Sequence, residues 1–81
     1  METRVAIIAI LVKDRASSAK INEILHEYGE YIIGRMGLPY KSKGINIISV
    51  AVDAPQDTIS ALSGKIGALK NVSTQTVYSK I

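Results

Sequence analysis

The chain has no cysteine and a single histidine among its 81 residues. Without thiols it has no disulfide, no thiolate metal site and no cysteine nucleophile, a composition that fits a reducing cytoplasm. One histidine with no thiol partner rarely makes a selective transition-metal centre. Long apolar runs are missing too. The longest, VAIIAILV (5–12), holds eight residues, far short of the roughly 20 needed to span a bilayer. It also lacks the polar break and small-residue cleavage pattern of a signal peptide. The expectation is a cytoplasmic protein with no membrane partner.

Signatures of catalysis are absent as well. There is no G-x-S-x-G elbow, no Walker loop, no dinucleotide-binding fingerprint and no pair of acids at strand ends. The chain is therefore not expected to be an enzyme, and it implies no cofactor. Charge is present without local concentration. Ten Lys/Arg stand against seven Asp/Glu, a net charge of +3, and no short window is dominated by cations. Nucleic-acid recognition needs basic residues gathered on one face, so direct binding of DNA or RNA is not expected.

What is there is periodicity. RVAIIAILVK (4–13) is apolar at both odd and even positions, which suits a strand covered on both sides. DRASSAKINEILHEYGE follows, with Ile21, Ile24, Leu25 and Tyr28 on one helical stripe. Asp14, Ser17 and Ser18 are candidate N-caps, and Gly29 is expected as the left-handed residue beyond the C-terminus. YIIGRMGLPY (31–40) reads as a strand. Strict alternation places Ile32, Gly34, Met36 and Leu38 on one face, and Tyr31, Ile33, Arg35 and Gly37 on the other, away from the helices. Its two glycines suggest a bulge or a close approach. KSKG (41–44) is a turn and INIISVAVD (45–53) a strand apolar on both faces.

A second helix starts around Asp53 to Asp57, with Pro55 near its first turn and Ile59, Leu62, Ile66 and Leu69 as its stripe. Gly64 and Gly67 lower its intrinsic stability and admit a close backbone. VSTQTVYSKI (72–81) is the last strand. The order β-α-β-β-α-β predicts an α+β, ferredoxin-like fold: a four-stranded antiparallel sheet with two helices on one face. Residues 4 to 81 are read as a single domain.

That fold covers one face of a sheet whose first and third strands are apolar on both. An exposed apolar sheet face in a small domain marks an interface, so a homo-oligomer, dimer or tetramer, is expected. Tyr31, Ile33 and Arg35 are the candidate interface residues.

Two further places could carry chemistry. His26 has Glu23 and Glu30 at helical spacing, but the preferred reading is a surface histidine among acids. The turn Lys13-Asp14-Arg15-Ala16-Ser17-Ser18 joins the first strand to the first helix, where free backbone N–H groups favour anions. Capping alone already explains Asp14 and the serines.

These residues also carry a family resemblance. The element order, the ending LSGKIGALKNVSTQTV (62–77) and above all HEYGEYIIGRMGLPY (26–40) resemble the iron-only hydrogenase system regulator family. Its members are small, stand-alone proteins with an ACT-like fold, similar to the C-terminal regulatory domain of the nickel-responsive repressor. The resemblance implies a regulatory module that oligomerises through its sheet, with a small-molecule effector at the subunit interface or a protein partner. Position by position, it points to Asp14, Arg15, Ala16 and Ser17 as the candidate ligand-binding residues. The chain departs from the nickel repressor in offering only His26 as a nitrogen ligand, and in leaving no room before residue 4 for a DNA-binding segment. Two alternatives remain beside it. One is a nucleic-acid-binding module using Lys41, Lys43 and Arg35; the other is a weak metal-binding protein built on His26 and Glu30.

Overall fold

The computed structural model describes residues 2–81. Strand β1 (Arg4–Val12) leads into helix α1 (Arg15–Glu27), and a short 3-10 turn (Gly29–Tyr31) leads into β2 (Ile32–Tyr40). A second 3-10 turn (Lys41–Lys43) joins β2 to β3 (Ile45–Ala54), followed by α2 (Gln56–Gly67) and β4 (Val72–Tyr78). The strands form one antiparallel sheet in the order β2-β3-β1-β4. This is the β-α-β-β-α-β arrangement anticipated from the periodicity.

The core lies between the sheet and the helices. Ala6, Ile8, Ile10 and Val12 of β1 and Ile48, Val50, Val52 and Ala54 of β3 are buried against Ile21 and Leu25 of α1 and Ile59, Leu62 and Ile66 of α2. The alternate residues of the same strands point the other way. Val5, Ile7, Leu11, Met36, Leu38 and Val77 are exposed there, on a face that no element among the described residues covers.

Local chemistry sets the element ends. Asp14 is extended (φ −106°, ψ 125°), and its carboxylate accepts from the N–H groups of Ala16 and Ser17, so it caps α1. Gly29 follows the C-cap Tyr28, as expected, but the expectation that it is left-handed is corrected: it opens the 3-10 turn. The left-handed residues are instead Gly44 (φ 63°) and Asn71 (φ 58°), one in the turn before β3 and one before β4. Asn tolerates that region better than other side chains because it can bond locally.

The faces of β2 also differ from strict alternation. Ile32 pairs with Val52 and Gly34 with Ala51, leaving Ile33 as an extra residue in a bulge. One extra residue reverses the parity of everything after it. Arg35 and Gly37 therefore pair opposite the buried Val50 and Ile48, on the helix side, while Met36, Leu38 and Tyr40 pair opposite outward-facing positions. Tyr31 precedes the strand altogether, half-buried against the core. Of the two helical glycines, Gly67 is a close-approach point, since a Cβ there would meet Thr74 Oγ1 at 3.0 Å. Gly64 has nothing within 4 Å.

Candidate functional site

The turn between β1 and α1 is built from its capping residue outward. The Oδ1 atom of Asp14 holds the N–H of Ala16 at 2.8 Å and that of Ser17 at 3.3 Å. Ser17 is only 4% exposed, and its hydroxyl donates to the carbonyl of Lys70 at 2.7 Å. The backbone N–H of Lys13 donates to the Asn71 carbonyl at 3.1 Å. These bonds tie the β1–α1 turn to the loop before β4, so Asp14 and Ser17 act as scaffold. Arg15 and Ala16 are exposed.

A cleft of about 300 Å³ opens beside this turn, with the β2–β3 turn as its other wall. Lys13, Asp14 and Arg15 line one side and Tyr40 and Lys41 the other. Of the four candidate ligand residues, the structure brings Asp14 and Arg15 to the cleft; Ala16 and Ser17 do not line it, and the Ser17 hydroxyl turns to Lys70. The sequence alone did not point to Tyr40, and it offered Lys41 only as a nucleic-acid contact, not as a partner of this turn. The signal for them lay in topology: β1 and β2 run in the same direction, so their C-terminal ends share one end of the sheet.

The interface candidates divide. Ile33 is 64% exposed at the bulge. The Tyr31 ring instead stands 6.4 Å from that of Tyr28 and packs on the core. Arg35 is tied to Asn22 of α1. Both lie off the bare face, where β2 instead presents Met36 and Leu38. His26 is exposed on α1. Among the described residues no group of three or more His, Cys, Asp or Glu is arranged to hold a metal ion, and no helix is long and apolar enough to cross a membrane.

A family model described as "TM1266-like: Iron-only hydrogenase system regulator, putative" matches residues 4–76. The solved structure of protein TM1266 from Thermotoga maritima is similar, with 36% identity and a TM-score of 0.94, over 98% of this chain and 100% of that one. A formyltetrahydrofolate deformylase from Pseudomonas putida KT2440 has a TM-score of 0.66 at 13% identity, this chain spanning 28% of its length. The de novo designed protein Foldit4 has a TM-score of 0.60 at 19% identity. The last two likenesses are of fold alone, and a fold carries no activity by itself. No curated protein matches the chain.

Proposed function

The chain belongs to the TM1266-like family of iron-only hydrogenase system regulators, and from that membership we propose that it is an ACT-like regulatory protein working by association and ligand binding. The observation that carries this reading is the bare sheet face. Ile7 and Leu11 of β1, Met36 and Leu38 of β2 and Val77 of β4 lie exposed on it, Met36 at 68%. A contiguous apolar face on a chain this small is the surface a second copy would cover, giving a dimer or, with two such contacts, a tetramer. Leu11 is the last outward residue of β1, so the turn holding Asp14, Arg15, Ala16 and Ser17 borders that face. A small effector bound at the turn would then sit at a subunit boundary. The regulated object is a hydrogenase system, its expression or its maturation, reached through a protein partner.

Light scattering on the full chain at micromolar concentration tests the association. A dimeric or tetrameric mass is expected, falling to the monomer in L38E with the circular dichroism unchanged. A monomeric wild-type chain overturns the reading.

A further inference from the structure

Folding gathers charge that the linear sequence spreads out. β1 and β2 end at the same end of the sheet and β4 begins there. Lys13 and Arg15 follow β1, Lys41 and Lys43 follow β2, and Lys70 precedes β4. Five of the ten Lys/Arg thus occupy the turns at one end, with Asp14 as the one acid among them.

Three of those cations, Lys13, Arg15 and Lys41, line the cleft of about 300 Å³. The carboxylate of Asp14 is also there, but its Oδ1 already accepts from two backbone N–H groups. A second hollow of about 390 Å³ adjoins the first: Lys13 and Ile45 line both, and Leu11 and Val72 give the second its apolar wall. A cationic hollow thus meets an apolar one across two shared residues.

We propose that the two hollows form one site for a small organic anion with an apolar body. Its phosphate, sulfonate or carboxylate group is held by Lys13, Arg15 and Lys41, and its body lies against Leu11, Ile45 and Val72. This rests on reading the β1–α1 turn as an effector site and names the class of effector. The volumes are those of small-molecule pockets. Exposed cations on flexible stems converge on an anionic group while it keeps part of its hydration. Leu11 belongs both to the apolar hollow and to the bare sheet face, so an occupant touches the surface a second copy would cover. That contact differs between the free and associated chain, which is the requirement for coupling ligand to assembly.

The probe is 8-anilinonaphthalene-1-sulfonate, an anion with an apolar body whose fluorescence rises on leaving water, titrated into the full chain. Pyrophosphate serves as a competing anion without that body. Pyrophosphate should displace the dye. R15Q and K41Q should each weaken dye binding roughly tenfold, the scale of one lost charge-assisted contact, with the circular dichroism unchanged. I45N should weaken the dye more than pyrophosphate, and uncharged N-phenyl-1-naphthylamine should ignore R15Q and K41Q. Unchanged dye affinity in the R15Q/K41Q double variant overturns the proposal. So does a short DNA duplex that displaces the dye better than pyrophosphate at equal phosphate, which would assign this end to a nucleic-acid backbone. A chain that self-associates but binds the dye without regard to these charges sinks this inference alone. A monomeric chain that binds through them keeps it and removes the assembly reading.

Discussion

The guanidinium of Arg35 donates a 2.7 Å hydrogen bond to the Oδ1 of Asn22, joining edge strand β2 to helix α1 on the covered side of the sheet. The pair is exposed, so water competes for both groups. Its net contribution is at the low end for hydrogen bonds, about 0.5–1 kcal/mol. R35A and N22A are each expected to lower the urea-unfolding free energy by about that much, and the double variant by little more. R35A should also leave the mass in solution unchanged. A change of mass in R35A would show that the guanidinium reaches a subunit contact after all.

The element order, the core and the uncovered apolar face were legible in the sequence because each rests on periodicity, which survives small errors in boundaries. Val5, Ile7 and Leu11 announce a second apolar face as soon as β1 is read as a strand. The sides of Arg35 and Met36 were not legible, because one bulged residue, Ile33, inverts the parity of the strand after it. The cleft was half legible. Asp14 and Arg15 belong to a turn whose chemistry is local, but Lys41 reaches the same cleft only through the sheet topology. The basic end was hidden for the same reason: its five cations come from three separate turns.

Lys65 gives a pH dependence with a definite sign. Its Nζ lies 5.0 Å from the centroid of the Tyr28 ring. A hydrogen bond with the Tyr28 side chain, then the charges of Tyr28 and Glu27, raise its pKa above the ordinary 10.5. A group whose folded pKa is raised stabilises the fold fully below its unfolded value and loses that contribution as pH rises through the folded one. Stability should therefore decline at alkaline pH beyond about 10.5, and K65Q should flatten that decline. An NMR titration of the Lys65 side chain should show its midpoint falling in Y28F; an unmoved midpoint removes Tyr28 as the cause.

Two glycines on α2 should answer the same substitution in opposite ways. Replacing a mid-helix Gly by Ala normally stabilises by about 0.5–1 kcal/mol, and Gly64 has open space for the methyl group. G64A is expected to show that gain in chemical denaturation. At Gly67 the new Cβ would stand 3.0 Å from Thr74 Oγ1, so the Thr74 side chain must give way to admit it. G67A should show no gain or a net loss, and should recover in the T74A background. Equal gains at both positions would mean that the helix and the strand are not in close contact there.

Asp14 and Ser17 allow the scaffold of the β1–α1 turn to be separated from its ligand chemistry. Losing the cap in D14A should cost about 1 kcal/mol, a fall in Tm of about 4–8 °C for a domain of this size. S17A removes a buried hydroxyl that serves the Lys70 carbonyl and should cost about 1–2 kcal/mol. D14N is more informative, because Asn caps nearly as well as Asp while the carboxylate charge leaves the cleft. If Lys13, Arg15 and Lys41 hold an anion, removing the one acid beside them strengthens its binding, so D14N should bind pyrophosphate more tightly than the wild type. S17A, whose hydroxyl faces Lys70 rather than the cleft, should leave that affinity unchanged. Weaker pyrophosphate binding in D14N, with its melting temperature preserved, would show that the Asp14 carboxylate contacts the ligand instead of opposing it, and the charge assignment of the cleft would be wrong.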